Sequence, residues 1–126
     1  MKKVQYSFSG EQPAPVQRIG ELYQVNFDIE EVQVDPELNN PDKEVATSYR
    51  CLYTRVGSLE YAELVSAIIG TRYEASDVEA IMLNYIQAQE ANPLFDPEKK
   101  AEYNEEYQQL QDWRAHAKEV AQSLSE

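Results

Sequence analysis

Hydrophobic positions in this chain keep two different periods, one on each side of Gly57. Before it they alternate. In residues 3–8, Val4, Tyr6 and Phe8 fall on one side and Lys3, Gln5 and Ser7 on the other, which predicts a half-buried strand. Residues 11–20 contain Pro13 and Pro15 and end in Gly20, so they read as a loop. In residues 21–29, Tyr23, Val25, Phe27 and Ile29 share a face, and then the parity slips to Val32 and Val34. One extra residue near Glu30–Glu31 would return these side chains to a common face, so a bulge is expected there. Residues 35–42, rich in turn formers, link this strand to an antiparallel partner over residues 44–56. In the partner, Val45, Thr47, Tyr49, Cys51 and Tyr53 are read as the inward set. The opposite set, with Ala46 and Leu52, is also partly apolar.

After Gly57 the period becomes helical. Ser58 is placed to cap a helix whose stripe is Tyr61, Leu64, Val65 and Ile68, closed by Gly70. Ser76 and Glu79 have the spacing of a capping box, followed by Val78, Ile81, Met82, Tyr85 and Ile86 on one face and a stop at Asn92–Pro93. Asp96 and Pro97 open a last helix running to Leu124, roughly 42 Å at 1.5 Å per residue. Strands first and helices afterwards predict an α+β fold: an antiparallel meander of about three strands, then two or three helices. The chain is expected to be a single domain over residues 1–126, with a β part over 1–57 and a helical part over 58–126. Such a small sheet is marginal alone, so helices or another subunit must cover it.

The last helix is expected to be the contact element. Tyr103, Tyr107, Leu110, Ala117, Ala121 and Leu124 make a heptad-like seam, with Arg114 at the missing step and Trp113 beside it as an anchor. Strands of five to seven residues span only about 17–24 Å, so the surplus helix can pair with a protein partner or with a second copy of the chain.

Composition narrows the function classes. The 126 residues include 23 acidic and 11 basic side chains, a net charge of −12. Residues 1–57 hold 9 acids and 6 bases; residues 58–126 hold 14 and 5. A phosphate backbone or an anionic membrane would be repelled, so neither nucleic acid nor membrane is expected as a partner. A basic protein surface would be drawn to the helical half. The start lacks an apolar leader core and no run of 18 apolar residues occurs, so a cytoplasmic or particle-associated protein is expected.

The chemistry-bearing residues are few. Cys51 and His116 are single and lie 65 positions apart, which suits neither a zinc site nor a nucleophile–base pair. Cys51 and Trp113 are read as core residues. His116 stands two positions from Arg114, about 200° round the helix, and does not converge with it. Asp35, Glu37, Asn39 and Asp42 offer oxygen ligands, but Asn40 and Ala46 stand where a calcium loop wants glycine and glutamate. The carboxylate pairs Asp28/Glu30, Asp77/Glu79 and Glu105/Glu106 are what an acidic surface produces anyway. No catalytic residue, metal or cofactor is therefore assigned. An alternative remains open: Tyr6, Tyr23, Tyr49 and Tyr53, taken as one sheet face, would form an aromatic platform for a carbohydrate or other small ligand.

Residues 71–86 (TRYEASDVEAIMLNYI) and 106–121 (EYQQLQDWRAHAKEVA) resemble the C-terminal helical region of small, uncharacterised prophage proteins encoded among tail genes. The matching positions are Arg72, Tyr73, Asp77, Glu79, Ala80, Ile81, Trp113, Arg114, Ala117 and Lys118. The resemblance covers about residues 71–121 and leaves out the strands. It implies a non-enzymatic structural or assembly role, cytoplasmic or virion-associated, and carries no catalytic residue.

Overall fold

The computed structural model describes residues 1–34, 46–90 and 94–125. Seven elements follow in order: β1 (Tyr6–Ser9), β2 (Val16–Ile19), β3 (Leu22–Val34), β4 (Ala46–Val56), α1 (Tyr61–Gly70), α2 (Ala75–Gln89) and α3 (Pro97–Leu124). The fold is α+β, with an antiparallel sheet and three helices, the last one long. The sheet has four strands rather than three, in the order β1-β4-β3-β2. The additional strand is β2, in the stretch read as a loop. Its two prolines end just before Val16, and Gly20, at φ 61°, opens a two-residue turn that pairs Ile19 with Leu22. The 35–42 turn and the Asn92–Pro93 stop lie outside the described residues.

The parity slip in β3 is a bulge, two residues earlier than expected. Phe27 pairs with Leu52 and Glu30 with Arg50, so Asp28 and Ile29 together oppose Cys51. Asp28 takes φ 51°, the one positive value outside glycine among the described residues. Aspartate tolerates that conformation better than most side chains do. The bulge puts Glu30 and Val32 on the same face as Tyr23, Val25 and Phe27, as the alternation requires.

The inward face of β4 is the reverse of the expected one. Leu52 and Val56 pair with Phe27 and Tyr23 and join the core; Cys51 and Tyr53 point to the other side. The reason is a strap. β1 and β2 lie on opposite edges of the sheet, so the chain between them crosses the far face. Pro15 C=O accepts the Asn26 N–H (2.9 Å), and Ala14 C=O accepts Asn26 Nδ2 (2.8 Å). Asn26, 3% exposed, also donates to Gln17 Oε1 (3.2 Å) and accepts from Gln24 Nε2 (3.1 Å). Cys51 is buried beside it, and that burial raises its thiol pKa. Cys51 is thus a buried small residue, on the face away from the helices.

On the near face, Val25, Phe27, Leu52 and Val56 meet Leu64, Ile68, Tyr73, Leu110, Trp113, Ala117 and Ala121 in one core. α3 packs against both α1 and α2. Alanines at 117 and 121, both fully buried, remove the side-chain bulk that would hold α3 away from its neighbours. The helix starts are local matters. Asp96 accepts the Glu98 N–H (2.9 Å) with Pro97 in the first turn, as expected. The other two starts shift. α1 begins at Tyr61, and its entry is tied by Glu63, which accepts the Gly57 N–H (3.0 Å) and the Ser58 hydroxyl. These bonds lower the Glu63 pKa, the Ser58 hydroxyl contributing most. At α2, Asp77 rather than Glu79 reaches back, to the Glu74 N–H (3.0 Å), and Ser76 sits exposed in the first turn.

Candidate functional site

The seam of α3 is consumed inside the fold. Leu110, Trp113, Ala117 and Ala121 are buried. Leu124 packs on the core edge, Tyr107 stacks on Tyr85 (centroids 3.7 Å apart, 9° between planes), and Tyr103 lies 6.1 Å from Phe95. Of the expected contact set, Leu110, Trp113 and Ala117 are taken up by the core, and Tyr103, Tyr107 and Leu124 are half-buried at its edge. α1 and α2 together line α3, so its length does not leave an unused seam. Arg114 bonds Gln111 (3.2 Å).

Unspent apolar surface lies instead on α2. Val78 and Ile81 pack on the core, Tyr85 on Tyr107, and Ala88 is buried. On the outer side, Met82, Leu83 and Ile86 are 43%, 58% and 56% exposed. Met82 and Ile86 are i,i+4 neighbours and Leu83 and Ile86 i,i+3 neighbours, with Glu79, three residues before Met82, exposed among them. α2 contains Asp77 and Glu79 and no basic residue. Scattered single apolar side chains are ordinary on a surface; three adjacent large ones on one helix face form a patch.

The rare side chains meet elsewhere, in an open crevice of about 440 Å³ lined by Met1, Arg72, Tyr73, Gln109, Asp112, Trp113 and His116. Trp113 is 7% exposed, and its Nε1 donates to Ile68 C=O (3.2 Å). The Arg72 guanidinium lies over the indole, 4.0 Å from its centroid. His116, one helical turn on, has its ring 5.4 Å from Trp113 and its Nε2 2.6 Å from Asp28 Oδ1. The β3 bulge thus delivers Asp28 to α3. Trp113, read as a core residue, also lines this crevice together with His116; Cys51 stays on the far face of the sheet. A His–Asp pair supplies an oriented base, but the crevice lining holds no Ser, Thr or Cys to serve as its nucleophile. Tyr73 is buried, which raises its phenol pKa.

His116 beside Trp113 was legible from i,i+3 spacing. Arg72 and Asp28 were not, since only the tertiary fold brings them to α3. The four strand tyrosines do not form a platform. Tyr6 and Tyr23 share the face of Leu52 and Val56, and Tyr49 and Tyr53 lie on the other. The paired carboxylates separate as well: Asp28 meets His116, and Glu30 binds Arg50 Nε (2.6 Å). Asp35, Glu37, Asn39 and Asp42 lie outside the described residues. Among the described residues, no group of three or more His, Cys, Asp or Glu is gathered to hold a metal, and no helix is long and apolar enough to cross a membrane. No protein family, curated protein or solved structure matches the chain.

Proposed function

We propose that this chain is a non-enzymatic structural or assembly accessory protein of phage type, acting by protein contact through its helical half. The contact element is the outer face of α2 rather than the seam of α3. One observation carries this reading: Met82, Leu83 and Ile86 are large, adjacent and exposed on a helix whose other side packs Val78 and Ile81 on the core. The resemblance of residues 71–121 to prophage tail-region proteins supports the biological setting.

Charge selects the occupant. Glu79 borders the patch, α2 has no base, and the chain carries −12. A second copy would bring the same acidic rim and the same net charge, so self-pairing through this face works against long-range repulsion. A basic amphipathic helix of another protein satisfies both the apolar patch and its rim. The test is a titration of isotope-labelled protein with a Leu/Lys amphipathic helical peptide, followed by NMR. Saturable shifts centred on residues 79–90, weakening with salt, are the expected result. Absence of saturable shifts, or a salt-resistant dimer closed by this face in light scattering, overturns the reading.

A further inference from the structure

The sequence holds five arginines, and four of them donate side-chain hydrogen bonds: Arg18 to Gly20 C=O, Arg50 to Glu30, Arg55 to Gln24 and Arg114 to Gln111. Among the described residues Arg72 donates no side-chain hydrogen bond, and its Nε is buried without an acceptor. Acids outnumber bases 23 to 11 in this chain, yet none of the ion pairs among the described residues includes Arg72. It is also the arginine that lines the Trp113 crevice. A guanidinium offers five donors and no acceptor; Nε is the one buried without a partner, and the terminal nitrogens are left to receive an anion from the crevice.

We propose that this crevice is a monocarboxylate-binding subsite, in which the Arg72 guanidinium, lying over Trp113, receives the carboxylate and His116 borders the body of the ligand. The geometry is set before binding. Trp113 is fixed from behind by Ile68 C=O. The Arg72 backbone is fixed on both sides, its C=O accepting the Lys2 N–H (2.6 Å) and its N–H donating to Ile69 C=O (3.1 Å). A guanidinium already seated over the indole loses less freedom when it closes on a planar carboxylate. The volume, about 440 Å³, suits a small molecule or the last residue or two of a peptide. Asp112 and Gln109 at the lining supply acceptors for ligand N–H groups, and the Asp112 charge disfavours dianions such as phosphate.

Trp113 is the sole tryptophan, so its emission reports directly on the site. Benzoate and the tripeptide Gly-Gly-Phe are titrated against benzamide and the tripeptide amide. Saturable change with the acids and none with the amides is expected. Arg72→Gln weakens binding about tenfold or more, the scale of a charge-assisted pair. Asp112→Asn, at an exposed position that does not depend on the core, strengthens benzoate binding several-fold. Gly-Gly-Phe binding at least tenfold tighter than benzoate identifies a peptide C-terminus as the source; equal affinities identify a free carboxylate. No saturable change with either acid, an equal response to the amides, or affinities unmoved by both substitutions overturns the proposal. The crevice and the α2 patch are separate surfaces, so failure of one test leaves the other standing.

Discussion

Replacing Asn26 by alanine tests the strap that decides which side of the sheet is the core. Asn26 Nδ2 donates to Ala14 C=O and Gln17 Oε1, and its Oδ1 accepts from Gln24 Nε2. The side chain is almost fully enclosed, so water does not replace these partners freely. A net contribution of about 1 kcal/mol per bond, with some added cost for a stranded Ala14 carbonyl, gives a loss of roughly 2–4 kcal/mol. That is a large part of the 5–15 kcal/mol typical of a domain. At this chain length the melting temperature should fall by about 8–16 °C. The Asn26 N–H to Pro15 bond survives the substitution, so the strap loosens without detaching. Urea unfolding measures the loss. Hydrogen exchange should show faster opening in residues 11–19 and little change in α3. A loss below about 1 kcal/mol, or loosening spread evenly over the chain, would refute the idea that this asparagine anchors the strap.

Two further outcomes follow from the bulge and from the entry to α1. Asp28→Ala should cost about 1–2 kcal/mol in chemical unfolding, because alanine is strained at φ 51° and loses the His116 contact; Asp28→Gly should cost less, since glycine accepts that backbone. Glu63 has a lowered pKa in the folded chain, so its bonds to Gly57 and Ser58 stabilise the fold above its unfolded pKa. That contribution is lost as pH falls through the folded pKa, and Glu63→Gln should make the acid side of a melting-temperature-against-pH curve shallower.

What could be read from the sequence was whatever local chemistry decides. Asp96–Pro97 starts α3 because a cap acts within three residues, and the switch of period near Gly57 is where β4 ends and α1 soon begins. The bulge was legible as a parity slip, but alternation only brackets it between Phe27 and Val32; the backbone preference of Asp28 chooses the place. β2 was hidden by the prolines that precede it, although Gly20 opening a two-residue turn was a usable signal. The facing of β4 was ambiguous because Cys51 and Leu52 are both apolar. A contact from the strap, twelve residues before Asn26 in sequence, settles it. The crevice depends on Arg72 and Asp28 reaching α3 from other elements, and no spacing rule connects them.

α3 buries its apolar stripe in the core, whereas Met82, Leu83 and Ile86 of α2 stay exposed and are the surface proposed to take a basic partner. The affinity of Ile86→Asp for the basic amphipathic peptide tests this most directly. Binding at least tenfold weaker is expected, with a melting temperature within a degree or two of the parent, since an exposed site away from special features changes stability by about 0.5 kcal/mol or less. Unchanged affinity, or a collapse in stability that shows Ile86 to be needed by the fold, would contradict it.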